Sequence, residues 1–173
     1  MGLQLVVGNP LDVFNRDYAN AVQAEIDSSF SGEIVMDSKD SCWESNELAW
    51  SSWKTLQDMV RKAIGKKECK HFCSMEAWNG AFLPVEMQPA ILTAKDQAEP
   101  LDLASLLGLI SELHAFARIA GLPTDQSGLA KLARKYPEDE ELDDEGLALQ
   151  TFAQLMIAAN EASRRRQGLW VVK

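Results

Sequence analysis

Apolar and polar residues alternate along this chain with changing periods, and the changes mark its elements. Residues 3–7 are a short Leu- and Val-rich run closed by Gly8-Asn9-Pro10, the pattern of a buried strand that ends in a turn. Pro10 suits a first helical position. Leu11, Phe14, Tyr18, Val22 and Ile26 then recur at three- and four-residue steps and predict one helix of about four turns. Ser28 to Gly32 ends it, and residues 33–36 read as a second short strand. A further helix is expected over 45–64, where Ala49, Trp53, Leu56, Val60 and Ile64 share a face, Gly65 closes the end, and Lys66, Lys67 and Lys70 follow.

Residues 81–92 are apolar but interrupted by Pro84 and Pro89, which points to extended segments at a sheet edge or to a packed loop. The broadest helical stripe spans 100–120, through Leu103, Leu106, Leu107, Ile110, Leu113 and Phe116, with Pro100 before it and Gly121-Leu122-Pro123 after it. A short helix over 127–136 and a last one from about 147 to 166 follow. Residues 169–172 read as a terminal strand able to pair with 3–7. The expected fold is a single α+β domain covering 1–173, dominated by four or five helices packed on a small sheet that includes both terminal strands.

Composition narrows the function. The 173 residues carry 26 acidic and 17 basic side chains, a net charge of −9, and 46% are hydrophobic. Such a chain can bury a core without help from metal or disulfides. Its negative charge opposes a phosphate backbone or an anionic lipid surface, so neither nucleic acid nor a membrane is an expected partner. The apolar N-terminal run is too short for a signal-peptide core, and the 101–121 stretch carries Asp102, Glu112, His114 and Arg118, so no membrane span is expected. With an odd number of cysteines, Cys42, Cys69 and Cys73, the chain reads as a cytoplasmic protein with reduced thiols.

Chemistry-bearing clusters are few. Cys69-Lys70-His71-Phe72-Cys73 groups metal-ligand types, but a structural zinc site needs four ligands and only Cys42 remains as a soft fourth, so Cys69, His71 and Cys73 are weak metal candidates. Cys69 or Cys73 with His114 as base is likewise a weak catalytic pairing that nothing in the spacing supports. There is no Gly-rich phosphate loop, dinucleotide fingerprint, serine elbow or paired-histidine helix, so no cofactor is expected and the balance leans away from an enzyme. Carboxylate-based catalysis leaves no local pattern and stays open.

Two features point to a protein partner. Glu138, Asp139, Glu140, Glu141, Asp143, Asp144 and Glu145 crowd seven carboxylates into eight positions, which would steer a basic partner electrostatically or else form a solvated loop leading into the next helix. Trp43, Trp50, Trp53 and Trp78 fall close to Asp40, Glu44, Glu47 and Asp58, and Trp43 and Trp50 are the candidates for exposed anchors. In being small, acidic and without a catalytic signature, the chain resembles bacterial immunity proteins. That resemblance implies a non-enzymatic inhibitor that covers a basic protein. The alternatives are a small enzyme or ligand-binding protein with a carboxylate- or cysteine-based site, and an accessory protein that homodimerises through the 100–120 helix.

Overall fold

The structure, a computed structural model, describes residues 2–30, 42–76, 79–93, 100–134 and 143–173. The strand expected over 33–36, Trp78 and the 138–142 part of the acidic run lie outside the described residues. The architecture is α+β: helices packed on a mixed sheet that includes both terminal strands. Along the chain the described elements are β1 (Gly2–Gly8), α1 (Pro10–Val13), α2 (Arg16–Phe30), β2 (Trp43–Glu44), β3 (Leu48–Ala49), α3 (Trp50–Ile64), α4 (His71–Ser74), β4 (Gly80–Leu83), β5 (Ala90–Leu92), β6 (Leu101–Ser105), α5 (Leu106–Ala120), α6 (Gln126–Ala133), α7 (Asp144–Arg165) and β7 (Gly168–Val172).

The sheet runs in the order β2-β1-β7-β4-β6-β5, with β3 also pairing with β1. β1 and β7 pair antiparallel as expected, Leu5 opposite Val171 and Gly8 opposite Gly168. Among the described strands the one parallel pair is β4 with β6. Strand alternation divides the core in two. Leu3, Leu5, Val7, Phe82, Leu169 and Val171 face α3, α5, α6 and α7. Val6, Ala81, Leu83, Leu103 and Trp170 face Val22 and Ile26 of α2. Trp170 fits this second layer by donating its indole N–H to the Gly8 carbonyl at 2.9 Å and meeting Phe14 edge-on.

Four expectations need correction. The helix expected over 10–26 breaks after Val13: Phe14 leaves helical geometry, and Asn15 restarts the chain as α2 by accepting the Tyr18 N–H on its Oδ1 at 3.0 Å. The helix expected from 45 begins at Trp50, because residues 43–49 are held along the edge of β1. There Ser45 acts as an extra rung, its N–H donating to Leu5 O and its Oγ accepting from Leu5 N.

The stripe expected as one helix from 100 to 120 is a strand followed by a helix. β6 is buried on both faces, so its apolar residues run almost continuously and mimic a helical stripe. Ser105 makes the change by accepting the Gly108 N–H on its hydroxyl. Finally, 81–92 is not all edge. β5 is an edge strand, but β4 lies between β7 and β6 inside the sheet. Pro84 is harmless there because it falls one residue past the last β4–β6 pair, Leu83 with Ser105, and removes no ladder hydrogen bond.

Candidate functional site

The cysteine-histidine cluster folds as a bolted corner. Cys69 and Cys73 are disulfide-bonded, with Cα atoms 5.6 Å apart, which overturns the reading of these residues as reduced thiols. The helical turn that opens α4 brings these two positions, four residues apart, together. Bonded to each other, the sulfurs supply neither a nucleophile nor a metal ligand. His71 is also committed: its Nδ1 accepts the Ser105 N–H at 3.3 Å. Its ring lies so close to α5 that a Cβ added at Gly108 would sit 2.0 Å from it.

Beneath this corner lies Glu112, a buried carboxylate on the core-facing side of α5. It accepts the N–H groups of Lys70, His71 and Phe72, each at 2.8 Å. Three charge-assisted bonds fill most of its acceptor capacity and pin the start of α4. Gln57 completes the clamp by donating to the carbonyls of Phe72 and Met75, and Trp53 packs edge-on against Phe72. Glu112 is a residue the sequence reading passed over. Its signal was legible: an acid between Leu109, Leu113 and Phe116 on an apolar face must be satisfied by buried donors.

Cys42, the free thiol among the described residues, stands apart from this corner, beside the second core layer. Burial, reinforced by the Glu44 and Asp12 carboxylates, pushes its pKa up and keeps it protonated. His114 is exposed on the outer side of α5. It lies with Ser111 and Arg118 along an open groove of about 460 Å³, away from either cysteine of the disulfide. Among the described residues no group of three His, Cys, Asp or Glu side chains is arranged to hold a metal ion.

The partner-binding candidates separate. Trp43 sits opposite Val7 and Ala49 opposite Gly2, so Trp43 and Trp50 mark the two ends of β1, about 17 Å apart along the strand. Both are half-buried and rest on the helix-side core. Trp50 also carries the Lys54 ammonium over its ring, 5.2 Å from the centroid. Of the acidic run, Asp143 caps α7 by accepting the Gly146 N–H at 2.7 Å, and Asp144 and Glu145 are exposed in the first turn, where negative charge suits the helix dipole. Glu138, Asp139, Glu140 and Glu141 lie outside the described residues.

One contact ties the first turn of α3 to α7. Ser52 Oγ and Thr151 Oγ1, both buried, are 2.7 Å apart. Ser52 is in the first turn of α3, and Thr151 is seven residues, about 10 Å of helix rise, past Asp144. Exposed Glu47 and the C-terminal Lys173 flank the same end of the sheet, around a groove of about 380 Å³. The Ser52–Thr151 bond joins the first turn of α3 to α7 two turns past Asp144, while Trp43 lies at the opposite end of β1 from Ala49 and Trp50. No helix among the described residues is long and apolar enough to cross a membrane. Compared with known proteins, the chain matches no family model and has no significant match among curated proteins or solved structures.

Proposed function

We propose that the protein is a non-enzymatic binding module that docks a basic protein partner, in the manner of inhibitor and immunity proteins, through the end of the molecule that carries Trp50. The observation that carries this reading is the Ser52–Thr151 bond, which joins the first turn of α3 to α7 two turns past Asp144. On this reading half-buried Trp50, with exposed Glu47 three residues before it, and the exposed carboxylate of Asp144 on the helix bonded to α3 form one docking face. A large amphipathic anchor with an acidic rim is the arrangement that gives a docking face both affinity and electrostatic steering. Of the groups that sequence offered for catalysis, the Cys69 and Cys73 sulfurs are bonded to each other, and His114 lies on the outer side of α5, apart from them.

The test is capture from the native host at low salt, identification of the captured protein by mass spectrometry, and binding kinetics with that protein in purified form. Association should slow at least tenfold between about 50 and 500 mM salt. Trp50→Ala together with Asp144→Asn should weaken affinity by about 2 kcal/mol or more. A salt-insensitive on-rate with unchanged affinity in the double variant rejects the reading.

A further inference from the structure

We propose that the groove on the outer side of α5 binds a phosphoryl group, held by Arg118, His114, Ser111 and Thr124. This site is separate from the acidic end described above and does not depend on it. The groove, about 460 Å³, is lined by Ser111, His114, Ala115, Arg118, Leu122 and Thr124. Its first wall is the face of α5 itself: positions 111, 114 and 118 are spaced by three and four residues, so their side chains stack one above another.

Its second wall comes from the chain reversal after α5. Gly121 adopts the left-handed conformation, φ 65°, and Leu122 donates its N–H to the Ala117 carbonyl, which folds Leu122 and Thr124 back alongside the helix.

The chemistry of the lining is one-sided. A guanidinium, an imidazole and two hydroxyls present hydrogen-bond donors from two directions, with no carboxylate among the described lining residues. Among the described residues neither Arg118 nor His114 has a hydrogen-bond or ion-pair partner. In a chain of net charge −9, an unpaired arginine and histidine one helical turn apart are a local reversal of the prevailing field.

The two acids next to the lining residues in sequence are already committed: Glu112 accepts three backbone N–H groups on the core-facing side of α5, and Asp125 accepts the Gly128 N–H as the cap of α6. A tetrahedral group with three terminal oxygens can take the guanidinium fork, the ring N–H and the two hydroxyls together, whereas a planar carboxylate presents two oxygens in one plane. The dipole at the end of α5 and the overall negative charge oppose the anion, so the affinity should be modest.

The experiment is an amide chemical-shift titration of the ¹⁵N-labelled full chain with inorganic phosphate, ionic strength held constant with sodium chloride, followed by the same titration with acetate. Saturable shifts confined to residues 111–124 are expected, with Kd of about 1–10 mM for phosphate and at least about fivefold weaker binding of acetate. Arg118→Gln should weaken phosphate binding about tenfold, and His114→Asn should weaken it less, because a bidentate fork is lost in the first case and one donor in the second. Both side chains are exposed, and the unperturbed remainder of each spectrum reports that the variant is folded. Shifts that are absent or scattered over the surface, unchanged in Arg118→Gln, or equally strong with acetate overturn the proposal.

Discussion

Removing the Glu112 side chain would strand three backbone N–H groups at the start of α4, each of which now donates to a charged oxygen in a water-poor site. Leaving buried donors unpaired costs more than a hydrogen bond returns, so Glu112→Ala should destabilise the fold by about 3 kcal/mol, seen as a lowered urea midpoint with an unchanged slope. Cys42 supplies a second residue-scale expectation. Because burial and two carboxylates raise its pKa, it should alkylate slowly at pH 8 in the native protein, and thiol titration after denaturation should count one group without reductant and three with it. Three thiols in the unreduced, denatured chain would exclude the Cys69–Cys73 bond.

At the scale of elements, the end of α7 carries the clearest pH signature. Hydrogen bonds from Arg164, and then from Arg165, hold the Glu161 carboxyl down at about 2, against an ordinary value of 4.5. A folded-state value below the unfolded one means that this carboxylate stabilises the protein at neutral pH. The contribution fades as pH falls from about 4.5 toward about 2. Arg164 is 65% exposed and the interaction is therefore partly screened, so Glu161→Gln should cost only about 1 kcal/mol at pH 7. Thermal melts of the two proteins should converge as the solution is acidified through that window. A gap independent of pH would assign the effect to packing.

The corner between α3 and α5 is a second such device. Reduction of its five-residue disulfide loop should cost about 2 kcal/mol by the chain-entropy argument. Glu112 and Gln57 still tie α4 down without the bond, so Cys69→Ala with Cys73→Ala should keep its secondary structure by circular dichroism.

Across the whole molecule, legibility followed range. Both terminal strands and the helices centred on 56, 113, 130 and 155 could be read from period alone, because an amphipathic element records in its own sequence which side it buries. What could not be read was settled by neighbours. Residues 101–105 became a strand because β4 offered a parallel ladder, and residues 43–49 lay flat because β1 had a free edge. The candidate site shows the same division. Trp50 and Asp144 were legible one by one as an aromatic and an acid, but the contact that joins their two helices is made by two hydroxyls, Ser52 and Thr151, ninety-nine residues apart. Trp43 had the same credentials in sequence and ended at the far end of β1.

The sequence by itself determined the α+β class, the acidity and the main elements. These are set by short-range periodicity and by composition, which every chain carries without reference to its partners in space. The tertiary structure alone decided which cysteines pair, which buried acid is satisfied, where along α7 the first turn of α3 is bonded, and which exposed arginine and histidine share a groove. Those outcomes are contacts between distant segments, and a contact of that kind is a property of the packed chain rather than of any window along it.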